Sequence, residues 1–451
     1  MKKIGLLFLA LLLVIIAACA LEQAPVIVEP PSIPEVVYVT DNPHYNPPDI
    51  MVSPYPEQIT HIPSYLINFD IDPSSRLFSG VLQVDFVNTS FLNLNRIYFN
   101  VHPAVDISAA IINFEHFETS RSNSFLRIYL QDTLAPGETL NISLFFDGRI
   151  TGVSNVNGSN DHAIWLGELF PTLAVVDNNG WHRHLNLAAT SNFLINMNLP
   201  SNFNLVSTGS GSSIQGADVT QFTVDTIMKR NFAFAALSES YNEQSMATSS
   251  GNDITLHYNS VLEPGGVLDS VLTTAVRAME HFEDLIAINP HRGLRIVEVN
   301  LATDFQSYSN IIFLNSSHMR LGLANVSVAQ AVARQWLHNI LGGNSELEPW
   351  LTHDLADFLA LELMLTRNQL SRHIGELNRD SGAQTRGIVF FYVLRNEMGQ
   401  ENFREFLRAY YNRYAFEIAT TAGMMAVAHD FGVSSDFFYT WLLSDDLPEL
   451  P

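Results

Sequence analysis

The chain has 451 residues, of which 47 % are hydrophobic and only 15 % are charged, and its formal net charge is −23 at pH 7. This length exceeds one ordinary hydrophobic core, so we expect two or three domains. The acidic balance argues against nucleic acid and anionic membrane surfaces as partners, because both would repel the chain. The single cysteine, Cys19, excludes disulfides within one chain.

The first eighteen residues have the pattern of a targeting segment rather than of folded structure. Lys2 and Lys3 precede an apolar run, Ile4 to Ala18, that is short for a membrane span. Residues 16–19 resemble a bacterial lipobox, in which the cysteine receives the lipid. We therefore predict a signal peptide over 1–18, lipid attachment at Cys19, and a lipid-anchored position at the cell membrane, outside the bacterial cytoplasm. The alternative is a plain secretory signal with an incidental cysteine.

Residues 19–58 are rich in proline, contain several acids and show little periodicity. Such a composition is typical of an extended, semi-rigid linker. We predict a tether that holds the folded part away from the membrane. A disordered leader without a spacer role is the alternative.

From residue 59 to residue 238 the pattern is that of β-strands. Short runs that alternate or are continuously apolar are separated by turn residues. The clearest runs are 65–71, 81–87, 97–101, 125–130 and 140–146. The sequence therefore predicts a β domain over 59–238.

From residue 239 to residue 451 helical spacing dominates. Apolar residues from Val267 to Phe282 trace one helix face, and Leu294–Val299 has the pattern of a buried strand. Further helices are predicted over 387–397, 401–414, 421–431 and 437–443. The predicted fold class is α+β, with the β domain followed by a mainly helical domain.

The stretch 327–358 lies at the centre of this second domain. Val328 and Val332 begin an apolar helical pattern, which we expect Gly342-Gly343 to end. A loop follows, and a second helix is predicted from about Thr352, a favourable N-cap residue.

Two tryptophan motifs, Gln335-Trp336 and Trp350-Leu351, make this stretch resemble the zinc aminopeptidases of family M1. In that family H-E-x-x-H on one helix and a Glu on the next hold zinc, and the first Glu is the general base. The resemblance covers about residues 60–451. It implies an N-terminal β-sandwich or saddle domain over 59–238 and a thermolysin-like domain over 239–451.

When the chain is aligned with the family on these two motifs, other residue types stand at the positions of the zinc ligands and the general base. The two zinc histidines fall on Gln330 and Arg334, the general base falls on Ala331, and the Glu ligand falls on His353. Gln330 is a poor ligand and Arg334 is a permanent cation, so no zinc cofactor is expected, although the family carries zinc. A rescued site would require His338, one turn beyond Arg334, to pair with His353.

Two further positions of the family differ. The Glu that binds the substrate amine falls on Ser307, in a loop expected just before an edge strand, Ile312-Phe313. The Tyr that stabilises the transition state falls on Gln384, in the run Gln384–Gly387. Neither a carboxylate for the amine nor a phenol for the oxyanion remains at these positions.

Arg334 needs a carboxylate partner if it is buried, because an unpaired buried charge costs several kcal/mol. Asp354 and Asp357 are close in the predicted frame. We expect the guanidinium of Arg334 to fill the metal position and to pair with one of these acids. The alternative is an arginine in a water-filled cleft.

These replacements favour a catalytically inactive peptidase homologue at the cell surface, which binds a peptide or a protein partner in a cleft between its domains. One alternative is an active zinc peptidase with a rearranged metal site. Another is a structural envelope protein or an assembly partner of an active relative. Membrane contact is predicted through the lipid anchor.

Overall fold

The computed structural model describes residues 61–150, 156–184, 187–259, 266–380, 386–443 and 450. The predicted signal peptide, the lipid site Cys19, the whole of the predicted tether and the family tyrosine position Gln384 lie outside these ranges. Among the helices of the described ranges, none has the length and apolar character needed to cross a membrane.

The first described region is built from strands. In chain order these are β1 (Ser64–Asp72), β2 (Leu77–Val87), β3 (Leu94–Asn100), β4 (Val105–Ile112), β5 (Glu115–His116), β6 (Thr119–Ser122), β7 (Phe125–Leu134), β8 (Thr139–Arg149), β9 (Asn157–Ser159), β10 (Ala163–Gly167), β11 (Thr172–Leu173), β12 (Val175–Asp177), β13 (Gly180–His182), β14 (Ser191–Pro200), β15 (Phe203–Ser207), β16 (Ser210–Gln215), β17 (Val219–Lys229) and β18 (Ala233–Ser238).

The largest sheet has eight strands in the order β16-β17-β14-β1-β2-β8-β4-β5. Its strands form because apolar side chains alternate with polar ones, so that one face is buried. In β1, for example, Tyr65, Ile67, Phe69 and Ile71 are buried while the intervening residues are more exposed. β1 pairs parallel with β14 and antiparallel with β2. Two four-stranded sheets, β15-β18-β10-β9 and β11-β3-β7-β6, and the β12–β13 hairpin complete the region.

The second region combines one sheet with helices. Its strands are β19 (Tyr241–Ala247), β20 (Asp253–Asn259), β21 (Leu294–Val299), β22 (Phe305–Tyr308) and β23 (Ile311–Asn315), in the order β19-β20-β21-β23-β22. Its helices are α1 (Gly266–Leu285), α2 (Ser316–Arg320), α3 (Ala324–Leu337), α4 (Leu355–Met364), α5 (Arg367–Asp380), α6 (Arg386–Met398), α7 (Gln400–Tyr414), α8 (Thr421–Asp430) and α9 (Ser435–Phe438), with π-helical turns at Trp350–Asp354 and Tyr439–Leu443.

The predicted fold class is confirmed, since a mostly β region precedes a mainly helical one. Three local predictions were wrong. α3 ends at Leu337 rather than at Gly342, and Thr352 lies inside a π-helical turn rather than at an N-cap. Ser307 lies within the edge strand β22, whereas β23, expected at the edge, is an inner strand.

Buried contacts join the two regions. Trp165 and Ala235 of the first region share an apolar cluster with Val297 and Phe313 of the second. The buried guanidinium of Arg230 donates to the carbonyl oxygens of Ala188, Ile340 and Glu417 at 2.6–2.9 Å. One cation therefore ties the strand region to two segments of the helical region.

Candidate functional site

Arg334 lies on α3 and reaches across to α4. Its Nη2 donates to Asp357 Oδ1 at 3.3 Å, and the two side chains are 18 % and 19 % exposed. Its Cζ lies 4.8 Å from the centre of the Phe305 ring, within range of a cation–π interaction. The guanidinium is therefore held by one carboxylate and one aromatic face at the position where the predicted register places a zinc ligand.

Asp354, the other predicted partner of Arg334, faces the next helix. The backbone N–H of Gly387 donates to Asp354 Oδ2 at 3.1 Å. Burial raises the pKa of Asp354 to about 7, and the nearby carboxylate of Asp357 adds to this rise, while the Gly387 N–H and Arg334 oppose it. Burial also raises the pKa of Asp357, and Arg334 opposes that rise. Of the two acids, Asp357 is the one that contacts the guanidinium.

His338 and His353 lie together, with ring centres 5.3 Å apart. Burial lowers the pKa of His353 to about 3, with Arg334 adding to the effect. Burial also lowers the pKa of His338 far below its ordinary value. Electrostatic interactions with His353, Arg334 and Arg230 lower that pKa further. Both imidazoles are therefore neutral at neutral pH, the state in which histidine binds metals.

The donor set nevertheless does not fit a zinc ion, which needs three protein ligands. The buried His338 Nδ1 has no partner among the described residues, so the pair offers a free nitrogen. Asp357 already binds the cationic Arg334. Within the described part of the chain, no group of three His, Cys, Asp or Glu side chains is arranged to hold a metal.

Ser307, the predicted amine position, supports the helix instead of facing a ligand. Its Oγ donates to the carbonyl of Ala331 at 2.9 Å and accepts from Gln335 Nε2 at 2.9 Å. Gln335 Oε1 in turn accepts from the backbone N–H of Asn310. The predicted general-base position, Ala331, is fully buried. Both positions therefore serve packing of α3 against β22.

A cavity of about 40 Å³, which no motif in the sequence predicted, lies between the strand region and the C-terminal end of α3. Its lining includes Glu168, His102, Arg230 and His338. Burial raises the pKa of Glu168 to about 7. Glu168 also has φ +54°, a conformation that a non-glycine residue adopts at a cost. An acid directly after an apolar strand was the only signal in the sequence.

Comparisons with known proteins address the fold. No protein-family model and no curated protein matches the sequence. Among solved structures, the M1 zinc metallopeptidase from Deinococcus radiodurans has a TM-score of 0.65 and 13 % identity, over 86 % of this chain and 94 % of that chain. A mutant of the M1 zinc metallopeptidase from the same organism, and a two-domain M1 zinc metallopeptidase mutant bound to L-arginine, each have a TM-score of 0.65 and 14 % identity. Both cover 86 % of this chain and 95 % of theirs.

The chain has an M1 metallopeptidase fold. The expected resemblance is thus confirmed at the level of fold, and identity of this order carries no activity with it. In this M1 metallopeptidase fold the pair α3–α4 is joined by Arg334 and Asp357. The assignment of Gln330, Arg334 and His353 to the metal positions stays a prediction.

The contact between Gly387 and Asp354 makes Gly387→Ala a test of the site's packing. An added Cβ would overlap Asp354 Oδ2 and lie 2.7 Å from Trp350 Cβ. We expect a loss of about 2 kcal/mol in the free energy of unfolding, as for other overpacked cores, measured by urea denaturation. Gly375→Ala in α5 is the matched control: no atom lies within 4 Å of its added Cβ, and we expect a gain of about 0.5–1 kcal/mol. Equal effects at both glycines would contradict the tight packing at Gly387.

Asp354 also predicts a pH dependence. Because its pKa is raised from 3.8 to about 7 on folding, the native state binds the proton more tightly than the unfolded state. Its contribution to stability is greatest at low pH and is lost as pH rises through this window. Asp354→Asn cannot ionise and can still accept from Gly387. We expect its free energy of unfolding relative to wild type to rise by on the order of 2–4 kcal/mol between pH 4 and pH 8. A difference that is constant with pH would show that Asp354 is ionised throughout.

Proposed function

We propose that this chain is a non-hydrolytic protein with an M1 metallopeptidase fold that binds a peptide or a protein partner between its strand region and its helical region. We place it at the cell membrane through a lipid on Cys19, with a strand domain over 59–238 and a thermolysin-like domain over 239–451. The observation that carries the proposal is the half-buried Arg334, paired with Asp357 and packed on Phe305.

Arg334 argues against metal chemistry for an electrostatic reason. A fixed positive charge repels a divalent cation, and it already pairs with the carboxylate of Asp357. The predicted positions of the general base and the amine-binding Glu, Ala331 and Ser307, offer no acidic group. Peptide hydrolysis would therefore lack a general base to activate water and a carboxylate to bind the amine of the substrate.

Ligand binding is supported by polar groups that have no partner. Tyr308 Oη and His338 Nδ1 are buried without hydrogen bonds among the described residues. The carboxyl of Glu168 lines the cavity. Burial raises the pKa of Tyr308, and the charge of Glu168 adds to this rise. Since buried polar groups nearly always have a hydrogen-bond partner, these atoms indicate that a ligand or a water molecule supplies the partner.

The proposal predicts that purified protein retains peptides and does not cleave them. We would pass a tryptic digest of casein over immobilised full-length protein and identify the retained and flow-through peptides by mass spectrometry. Retention should weaken in Glu168→Gln, whereas Glu376→Gln, at an exposed site on α5, should leave it unchanged. Retention unaffected by either variant would place binding elsewhere, and no retention would overturn the peptide-binding function.

A second candidate, a peptidase with a rearranged metal site, rests on the adjacent rings of His338 and His353. It predicts one tightly bound transition metal per chain and chelator-sensitive turnover of aminoacyl nitroanilides. Metal analysis of the protein together with this assay separates the two candidates. Stoichiometric metal with turnover would overturn the non-hydrolytic function.

A further inference from the structure

Phe114 occupies the tip of the β4–β5 hairpin in an unusual state. It is 98 % exposed, and its φ is +73°, beside Asn113 at +49°. Two-residue turns of this kind favour Asn or Gly because a bulky side chain is strained there. The turn thus carries a large apolar ring where neither burial nor backbone geometry requires one. A strained residue of this kind indicates a function for its side chain.

Phe91 is a second exposed ring, and its loop is rigidly built. It is 81 % exposed, whereas Asn88 and Ser90 before it are buried. Asn88 Oδ1 accepts from the N–H and the Oγ of Ser90, and Asn88 Nδ2 donates to the Leu92 carbonyl at 2.7 Å. Asn178 Oδ1 accepts from the Phe91 N–H at 2.9 Å. The loop therefore holds the ring outward in a fixed position.

Strand register brings both rings to one end of the large sheet. The Phe91 loop follows the last residue of β2, Val87, which pairs with Thr139 at the start of β8. The Phe114 turn follows β4, and the Asn113 N–H donates to the Asn141 carbonyl near that same start. β2, β8 and β4 are neighbours, so the two tips lie on the order of 10 Å apart along the sheet edge.

The described chain also enters at this end. Tyr65 of β1 pairs with Val84 of β2, so residues 61–63 extend toward the Phe91 loop. β1 neighbours β2 in the sheet, which places the entry point and both rings within about three strand spacings, on the order of 15 Å. The residues that precede the described chain are therefore joined to the folded part at the end that carries the exposed rings.

We propose that this end of the large sheet faces the membrane and that Phe91 and Phe114 insert into the lipid headgroup region as secondary contacts beside the anchor. The inference rests on the lipid attachment at Cys19 in the proposed function, and it takes residues 19–58 as a leader without a spacer role, because a tether that held the folded part away from the membrane would prevent this contact. Exposed aromatic side chains on a protein already held at a bilayer bind the interface at a reduced entropic cost, because the anchor raises their effective concentration there. The two rings then fix the orientation of the folded part, with its far end directed away from the membrane.

The charged residues around Phe91 and Phe114 determine which lipid headgroups this end of the sheet can contact. Residues 86–93, 112–118 and 135–141 contain no Lys or Arg, and they include the exposed acids Glu115, Glu118 and Glu138. These acids would be repelled by an anionic headgroup surface. The expected surface is therefore zwitterionic, and added anionic lipid should weaken the contact.

The single native cysteine makes the test direct. In the lipidated full-length protein Cys19 carries the lipid, so Phe91→Cys, Phe114→Cys or Ile214→Cys each supplies one free thiol for a polarity-sensitive fluorophore. Ile214 is the matched control, because it is 73 % exposed but pairs with Gln221 near the start of β17, at the opposite end of the sheet. The probe is a phosphatidylcholine vesicle, with or without phosphatidylglycerol, and flotation is measured in the same samples.

We expect a severalfold rise and a blue shift of the emission at positions 91 and 114 on phosphatidylcholine vesicles, a smaller response with phosphatidylglycerol, and no change at position 214. Flotation with equal emission at all three positions would overturn the inference and leave the lipid anchor intact. Absence of flotation would overturn both. A response to added cell-envelope proteins but not to vesicles would show that a protein covers the rings, which also overturns the membrane contact.

Phe114→Gly separates a functional ring from a structural one. Glycine relieves the strained φ, so we expect the melting temperature to rise. The vesicle response of the label at position 91 should fall at the same time, since one of the two contacts is removed. A lower melting temperature with an unchanged label response would assign Phe114 a packing role and overturn its part in membrane contact.

Discussion

Replacing Arg334 with methionine is expected to lower the free energy of unfolding by about 2 kcal/mol at pH 8. Methionine keeps most of the volume but leaves Asp357, which is only 19 % exposed, without its counter-charge. Breaking a buried ion pair by removing one partner costs 3–5 kcal/mol, and the partial exposure of this pair reduces the figure to about 2 kcal/mol. Urea denaturation with circular dichroism measures the change.

The loss should depend on pH with a definite sign. Removing Arg334 removes a group that opposes the raised pKa of Asp357, so that pKa rises further. The unpaired carboxyl then binds a proton on folding, and the destabilisation should be smaller at pH 5 than at pH 8. A double-mutant cycle with Arg334→Met, Asp357→Asn and the combined variant measures the interaction energy between the two side chains.

Arg408→Met is the matched control for the Arg334 variant. Arg408 pairs with Glu405 at 3.5 Å, these side chains are 36 % and 52 % exposed, and Arg408 Nη2 also donates to the Asp284 carbonyl at 2.7 Å. An exposed pair of this kind contributes at most about 1 kcal/mol. If Arg334→Met were neutral at both pH values, Arg334 would be a solvated arginine in a water-filled cleft and the pair would contribute nothing.

Rebuilding the family motif is expected to create zinc binding. The variant combines Gln330→His, Ala331→Glu, Arg334→His and His353→Glu, which supplies three ligands and a general base on the pair α3–α4. We expect one zinc ion per chain after dialysis against metal-free buffer, measured by elemental analysis, because three ligands replace a fixed cation.

Hydrolysis by the rebuilt variant should remain slow. Ser307 and Gln384 still offer no amine-binding carboxylate and no phenol, and loss of one oxyanion donor alone costs about 10²–10³ in rate. The matched control carries the other three substitutions but keeps Arg334, and it should bind no zinc. Zinc in this control would show that the charge of Arg334 is not the barrier to metal binding.

The strand region was predictable where one face of a strand is buried. The run 65–71 differs from β1 by one residue at each end, since alternation of apolar side chains fixes both type and length. The apolar face from Val267 to Phe282 likewise falls within α1. Local pattern decides these elements because each buries a regular face against the core.

The end of α3 was not predictable from local pattern. Gly342 was assigned a helix-stopping role, yet its N–H donates to the Glu417 carbonyl and its carbonyl accepts from the Ala419 N–H. An added Cβ there would overlap the guanidinium of Arg230. The glycine is thus required by the approach of a distant side chain, which only the tertiary structure brings near.

The site could be predicted only in part for the same reason. Asp354 and Asp357 were both named as partners of Arg334, but the sequence could not choose between them because the choice depends on the π-helical turn Trp350–Asp354. Glu168 was missed because its burial arises from packing against residues more than a hundred positions away, including Tyr308. The spacing of residues along one helix could be predicted from the sequence, whereas contacts between distant segments could not.

The position of Arg230 has a consequence for the proposed ligand binding. Its three bonded carbonyls belong to segments on both sides of the cavity that it also lines. A charge fastened in this way resists hinge motion, so the opening keeps nearly the same width whether empty or filled. For the proposed ligand, we therefore expect the fixed shape of this region to decide what binds, without a closing movement after binding.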